Sequence, residues 1–517
     1  MKLVTAQEMK ELDTKAQTEF AVPGILLMDN AAQAAADAVN EALELLDGES
    51  VVIFCGAGNN GGDGFGAARW LQNYGVKARV FVVGTELAAI SGDAGLELDM
   101  LKKTGVKVEV IASEDDWLVA ELAAAKADVL VDALLGTGFH GELEGAYLRA
   151  CELVNDSGKY IVSVDVPTGV NADNGAACEA AVHADKTVTM ALTKTGLLLY
   201  PGREYCGDIE LADIGLPAKI VEECASKKYR LTDEIVRELL PLRKADAHKG
   251  DAGRIAICAG SPGFTGAAAL CSDAAVKAGA GLVSLFTPLS SQNVLATKLT
   301  ETMVHGLLER MPGILGGGAV SDVVSHANAG DVLAIGPGLG TSESTQQVVR
   351  DILQKVTVPV VIDADALTAL VGHTEILTAM QAPKVLTPHP GELARLIGKE
   401  VNEINADRIN IASEYAKEWN AVLVLKGAPT VIACPDGTVY VNSTGTSALA
   451  TGGSGDVLTG IIAGLAGQEI SLQEAAVCGV YLHGLAAQLS GIDIGLAAGE
   501  IAALLPEARK KVLHGAE

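Results

Sequence analysis

Short, near-continuous Val/Ile-rich runs, each passing into a glycine-rich or acidic loop, constrain this chain more than any other feature. In the first half they are VVIFC (51–55), ARVFVV (78–83), VLVD (129–132), YIVSVDV (160–166) and TVTM (187–190), with alanine-rich amphipathic stretches between them. The second half has RIAICAG (254–260), VLAIGPG (332–338), PVVIDAD (359–365), KVLTPHPGE (384–392) and AVLVLKG (421–427). A run with no polar alternation suits a strand covered on both faces, which is the condition of a parallel sheet packed between helices. In such sheets ligands bind beyond the carboxyl ends of strands, and every loop considered below lies there. A mixed, charged segment from Pro217 to Tyr229 interrupts the pattern before Thr232 caps a new helix. It divides the chain into an expected first domain, 1–217, a linker, 218–229, and a second domain, 230–517; about 150 residues per domain suggests two to four domains, and two large α/β domains fit the length equally well.

A 49% hydrophobic fraction with only 4% aromatics predicts a core of aliphatic strands and alanine-rich helices. The net charge of −27 argues against a broad nucleic-acid or anionic-membrane surface, which needs a basic face. A phosphate ligand must then be held locally, by glycine amides, a cation such as Lys426, or bound metal. Nine cysteines, odd in number and never spaced C-x-x-C, fit a reducing cytoplasm better than a disulfide framework or zinc site. No secretory signal and no run of 18 apolar residues is present, so neither export nor a membrane span is expected. Thr5 and Glu8 form a capping-box pattern for the first helix.

After VVIFC comes GAGNNGGDG (56–64), which formally contains G-x-G-x-x-G. The acid expected about 20 residues further on to hold a ribose is missing, because Glu86 follows Gly84 in a turn. This disfavours a hydride-transferring dehydrogenase. Two more loops, VDALLGTGFHGE and SVDVPTG, put Asp132 and Asp165 at strand ends. The oxygens of Asn60, Asp132 and Thr168 suit a hard monovalent or divalent cation, leaving Asp165 for acid–base work. These loops resemble those of the NAD(P)H-hydrate epimerase family, the N-terminal module of YjeF-type proteins, over nearly the whole first half. The resemblance implies that Asn59, Asn60, Gly61, Gly62 and Asp63, with Gly136, Thr137, Gly138, Phe139, His140, Gly141 and Glu142, contact the hydrated nicotinamide nucleotide. It also implies that Asn60, Asp132 and Thr168 bind K+, and that Asp165 touches the reactive part of the substrate. The family usually has serine where this chain has Thr168, and the hydroxyl is kept. Taken singly, His140 and Lys194 read as a surface histidine and a structural cation.

The second half offers a Gly/Ser/Thr turn entering a helix at Gly266 and Ala267, then GPGLG (336–340), HPGE (389–392), KGAPT (426–430), and NSTGTSALATGGSGDVLTG (442–460). In the last, glycines and hydroxyls lead into a helix, a natural anion site. Asp456 is out of place there as a phosphate ligand. It suits removal of a proton from a hydroxyl that attacks phosphorus, or holding a bridging metal. Together these loops resemble the ribokinase-like fold, and in detail the ADP/ATP-dependent NAD(P)H-hydrate dehydratase family, from about Thr232 to the C-terminus. By that resemblance Lys426, Gly427, Ala428, Pro429, Thr430 and Gly455 hold the adenine nucleotide, and Ala267, Gly338, His389 and Asp456 meet the hydrate.

The fold expected is therefore α/β throughout, a Rossmann-like three-layer αβα domain followed by a ribokinase-like domain. The function implied is repair of hydrated NADH and NADPH. The first half would interconvert the R and S hydrates; the second would phosphorylate the S hydrate and eliminate phosphate, using Asp456 as base and Mg2+ to steady the transferred group. ADP is the donor that bacterial relatives imply, and a homo-oligomer is expected. The alternatives are a ribokinase-like kinase of a vitamin precursor with a ligand-sensing first half, and a non-enzymatic binding module.

Overall fold

The computed structural model of the chain describes residues 1–515 and divides it into two compact units, Lys2–Ser226 and Lys227 onward. The sheet of the first unit runs, in spatial order, Lys107–Val110, Lys77–Val82, Ser50–Cys55, Val129–Ala133, Tyr160–Val164, Lys186–Met190 and Asp208–Ala212, with every neighbouring pair parallel. Alternate residues of one strand face opposite layers. Val51, Ile53 and Cys55 pack with helices Gly24–Leu46 and Asn59–Asn73, whereas Val52 and Phe54 pack with Glu114–Lys126 and Gly145–Asp156. This is the three-layer arrangement that doubly covered strands require. Thr5 closes a capping box with Glu8 on helix Ala6–Glu19.

The glycines after Ser50–Cys55 serve packing. A Cβ on Gly61 would lie 2.0 Å from the Gly56 carbonyl oxygen, and one on Gly64 would lie 2.6 Å from the Ala133 side chain. Only glycines let helix Asn59–Asn73 start directly against the two central strands.

The second unit has the order Met303–Leu307, Leu282–Pro288, Arg254–Cys258, Val332–Ile335, Val360–Ile362, Lys384–Leu386, Val422–Leu425, Val431–Ala433, Val439–Val441 and Lys228–Arg230. Pairing is parallel as far as Val422–Leu425, antiparallel through the next two strands, and parallel again for the last pair. Helices Thr265–Lys277, Ser454–Ala466, Leu472–Leu489 and Ala498–His514 share one apolar core with Ile255, Ile257 and Val361. The segment read as a linker is structured. It holds a short helix, Ala218–Glu222, and the strand Lys228–Arg230, whose partner Val439–Val441 is far away in sequence. Thr232 occupies the N-cap of Asp233–Leu239, as its position suggested.

Gly336 ends the strand Val332–Ile335 with φ of +130°, and a Cβ there would lie 1.8 Å from the Asp363 carbonyl oxygen. The backbone is both glycine-specific and hard against its neighbour. Gly336→Ala is expected to destabilise the second unit by at least about 2 kcal/mol, seen as a loss of several degrees in its thermal unfolding; an unchanged transition would mean the strand end has room to relax.

Candidate active sites

In the first unit, residues following Ser50–Cys55, Val129–Ala133 and Tyr160–Val164 line a cavity of about 780 Å³. That volume is ample for a small-molecule site. Of the residues singled out in the sequence, Asn59, Asn60, Asp63, Gly136, Thr137, Gly138, Phe139, His140, Asp165 and Lys194 line it; Gly61, Gly62, Asp132, Gly141, Glu142 and Thr168 do not.

Asp165 follows its strand in the left-handed region, φ 65°. Its Oδ1 accepts from Lys194 Nζ at 2.5 Å, Met190 N at 3.1 Å and Thr189 Oγ1 at 3.3 Å. Lys194 is 1% exposed and also donates to the Met190 carbonyl at 2.8 Å. The lysine is thus part of the site, locked against the carboxylate that lines the cavity. Two further acids belong to the same electrostatic group. Burial pushes Asp63 well above the ordinary carboxylate range, Asp165 adds to the shift and Lys194 opposes it. Burial likewise raises Asp13 to about 6, with Lys194 opposing and Asp165 reinforcing. Asp13, on helix Ala6–Glu19, had no motif to announce it.

The expected cation set separates into two roles. Asp132 is fully buried and braced: Oδ2 accepts from Ser163 Oγ at 2.9 Å and Thr168 N at 2.8 Å, and Oδ1 accepts from Thr168 Oγ1 at 2.6 Å and Leu134 N at 3.3 Å. Burial raises its pKa while the Thr168 and Ser163 hydrogen bonds oppose the rise. Ser163 is its register partner on the adjacent strand. Asn60 is 8% exposed, and neither its Oδ1 nor its Nδ2 has a hydrogen-bond partner. An orphaned buried amide costs about 1–3 kcal/mol, so Asn60 is the member of the set with an oxygen available for a cation.

In the second unit, Lys426 Nζ donates to Asp363 Oδ1 at 2.8 Å and lies 3.7 Å from Glu392 Oε2. Burial works to lower the Lys426 pKa, but Asp363 and Glu392 outweigh it and hold the ammonium above its ordinary value. Asp363 is 1% exposed, and its other oxygen accepts from Thr459 Oγ1 at 2.7 Å. Thr459 lies on the helix whose first turn carries Asp456, so one carboxylate ties that helix to the strand Val360–Ile362. Burial pushes Asp456 up to about 6, with Asp363 reinforcing and Lys426 opposing. A Cβ on Gly455 would lie 3.3 Å from Lys426 Nζ.

His389 caps helix Pro390–Ile397: its Nδ1 accepts from Gly391 N at 3.0 Å and Glu392 N at 3.3 Å, leaving Nε2 3.7 Å from Glu392 Oε2. Ala267 and Gly338 are brought face to face, since a Cβ on Gly338 would stand 3.0 Å from that of Ala267. The loop Gly427, Ala428, Pro429 and Thr430 is gathered by Arg408, whose Nη2 donates to the carbonyls of Leu425, Lys426 and Pro429 at 3.3, 2.9 and 3.2 Å. Burial lowers Arg408 to about 10. His483 is buried, lowered by that burial to about 4, and its Nε2 lies 3.2 Å from Ser454 Oγ at the start of the Asp456 helix. Sequence reasoning missed Asp363, Arg408 and His483. The strand-ending acid in PVVIDAD was a usable signal for the first; helix residues 408 and 483 gave none.

Two α/β units, each with a lysine–aspartate pair at the carboxyl ends of parallel strands, define a two-site α/β enzyme. Residues 25–196 match the YjeF-related protein N-terminus family and residues 255–504 the NAD(P)H-hydrate dehydratase family. The bifunctional NAD(P)H-hydrate repair enzyme Nnr of Moorella thermoacetica is 44% identical over 510 residues, covering 98% of this chain and 96% of that protein. The Escherichia coli enzyme of the same name is 33% identical over 449 residues, 87% of this chain and 82% of the relative. Among solved structures, the ADP/ATP-dependent NAD(P)H-hydrate dehydratase of Bacillus subtilis, co-crystallised with ATP and Mg2+, is 36% identical over 55% of this chain and 98% of its own, with a TM-score of 0.48. This chain belongs to the family of bifunctional NAD(P)H-hydrate repair enzymes. Among the described residues no helix is long and apolar enough to cross a membrane.

The electrostatics of Asp456 generate a stability prediction. Its folded-state pKa of about 6 lies above the ordinary aspartate value of 3.8, so the folded state is penalised progressively as pH rises from about 4 through about 6, by at most about 3 kcal/mol. Asp456→Asn removes that penalty. Relative to the parent, the variant is expected to melt higher at pH 8 than at pH 5; a difference independent of pH would contradict the assignment.

Proposed function

We propose that the chain repairs hydrated NADH and NADPH in the cytoplasm, with epimerase chemistry within 1–217 and ADP-dependent dehydration within 230–517. The observation that carries the reading is Asp456, a base poised near neutrality in the first turn of a glycine-led helix and set beside Lys426. Hydroxide is a poor leaving group, so loss of water from the hydrated ring is slow. Asp456 takes the hydroxyl proton as the oxygen attacks the terminal phosphorus of ADP. AMP leaves with the electron pair of the broken phosphorus–oxygen bond. Phosphate then departs with the carbon–oxygen electron pair as the ring nitrogen lone pair forms a carbon–nitrogen double bond, and the neighbouring ring carbon loses to solvent the proton that hydration had added, its electron pair forming the ring carbon–carbon double bond and returning the other pair to nitrogen, giving NAD(P)H, AMP and phosphate.

Lys426, the loop 427–430 held by Arg408, and Gly455 bind the nucleotide; Ala267, Gly338 and His389 position the S hydrate. Mg2+ supplies charge neutralisation on the transferred group when bound. In the first unit Asn59, Asn60, Asp63 and the loop 136–142 hold either hydrate, and Asp165 works on its reactive carbon. K+ would be held through the free Asn60 oxygen, with Asp132 and Thr168 as the further oxygen donors the resemblance implies, and would supply a fixed positive charge beside the ligand.

The two reactions should be separable by substitution. Asp456→Asn is expected to cut phosphate release by about 10²–10⁴-fold while leaving interconversion of the two hydrates intact, and Asp165→Asn is expected to do the reverse, followed by chiral chromatography and phosphate assay. Loss of both activities in either variant would refute the division of labour.

A further inference from the structure

The first unit holds more acid than its motifs account for. Asp13 lines the 780 Å³ cavity from helix Ala6–Glu19, whereas Asp165 enters it from the end of the strand Tyr160–Val164. The two carboxyls come from elements remote in sequence, and Asp165 and Lys194 both act electrostatically on Asp13, in opposite senses. They differ in partners. Asp165 Oδ1 accepts from Lys194, Met190 N and Thr189, while Asp13 Oδ1 is buried with no hydrogen-bond partner. Asp63, Lys10, Asp93, Asp173 and His140 complete the charged and titratable lining, and Asp13 adds to the upward shift of Asp63. A second observation marks the cavity as a ligand site: the amide of Asn60, more than nine-tenths buried and lining it, is unpartnered at both heavy atoms.

We propose that Asp13 is the second acid–base group of the epimerase, working opposite Asp165 on the carbon that bears the hydroxyl. The proposal rests on the reading of this unit as an epimerase. The carbon–oxygen bond breaks with its electron pair going to oxygen, which takes the Asp13 proton and leaves as water, while the ring nitrogen lone pair forms a carbon–nitrogen double bond. Water then adds to the other face of that carbon, returning the electron pair to nitrogen, and its surplus proton goes to the Asp165 carboxylate. Nothing is oxidised or reduced. The opposite isomer runs the same steps with the roles exchanged, which restores the starting protonation states. Asp13, raised to about 6 by burial, is matched to giving up a proton near neutrality.

The test uses the full chain, one pure hydrate isomer and no nucleotide, so that only isomer interconversion is read. Asp13→Asn is expected to lower kcat for interconversion by about 100-fold or more, with KM within threefold of the parent, and Asp13→Glu to recover part of the rate. In the direction that needs protonated Asp13, parental kcat should fall as pH rises through about 6, and this limb should vanish in Asp13→Asn. Nucleotide-dependent consumption of the S hydrate by the second unit of the same variant, expected unchanged, reports that the chain is folded. Parental kcat in Asp13→Asn, a loss confined to KM, or no recovery in a folded Asp13→Glu would overturn the assignment. A parent that does not interconvert the isomers at all would instead overturn the epimerase reading beneath it.

Discussion

A buried lysine paired with an aspartate at the carboxyl edge of a parallel sheet is the interaction on which both sites depend. In the first unit it is Lys194 with Asp165, and in the second Lys426 with Asp363. Removing such charges from water costs several kcal/mol per ion, so each lysine must be held in one geometry by partners that the strand ends present. The geometry then propagates. Lys194 fixes the carboxylate that faces the cavity, and Asp363 reaches through Thr459 to the helix that carries Asp456 one turn earlier. Breaking either pair leaves one charge buried and unmatched, which costs about 3–5 kcal/mol.

The same arrangement tunes the acids around it. A carboxylate beside a lysine is ordinarily held ionised, yet Asp13, Asp63 and Asp456 are all raised, because burial and neighbouring carboxylates together exceed what one ammonium returns. Both sites therefore contain one aspartate committed to the lysine and another left near neutrality. In the second site the committed group, Asp363, ties Lys426 and the Thr459 helix to the strand end. The other can exchange a proton at working pH, which is what a base attacking through a hydroxyl, or an acid assisting its departure, requires.

Much of this was legible in the sequence because parallel strands buried on both faces read as unbroken apolar runs, and the runs at 51–55, 129–132, 160–166, 254–260 and 421–427 all become strands. Asp132, Asp165 and Lys426 were visible because they stand at the ends of those runs, and Asp456 because it is an acid in a glycine-rich loop entering a helix. Less legible was what the glycines do. Gly61 was named only as a ligand contact implied by resemblance, and the packing role of Gly61 and Gly64, which admit a helix against strands, had no signal in the sequence. Lys194 read as structural because its partner lies 29 residues away, and Asp13, Arg408 and His483 sit on helices whose periodicity reveals a face but not what it meets. Pairing across such distances is a property of the fold, and no local spacing records it.

The central claim is that phosphorylation converts the hydroxyl of a damaged cofactor into the group that leaves. Hydrated NADH carrying oxygen-18 in that hydroxyl, turned over once with ADP by the Asp165→Asn protein, in which the first site cannot exchange the oxygen with water, tests it directly by mass spectrometry of the products. The account predicts one labelled oxygen in each inorganic phosphate released, in step with recovery of NADH. Label released into water, with phosphate unlabelled, would contradict it.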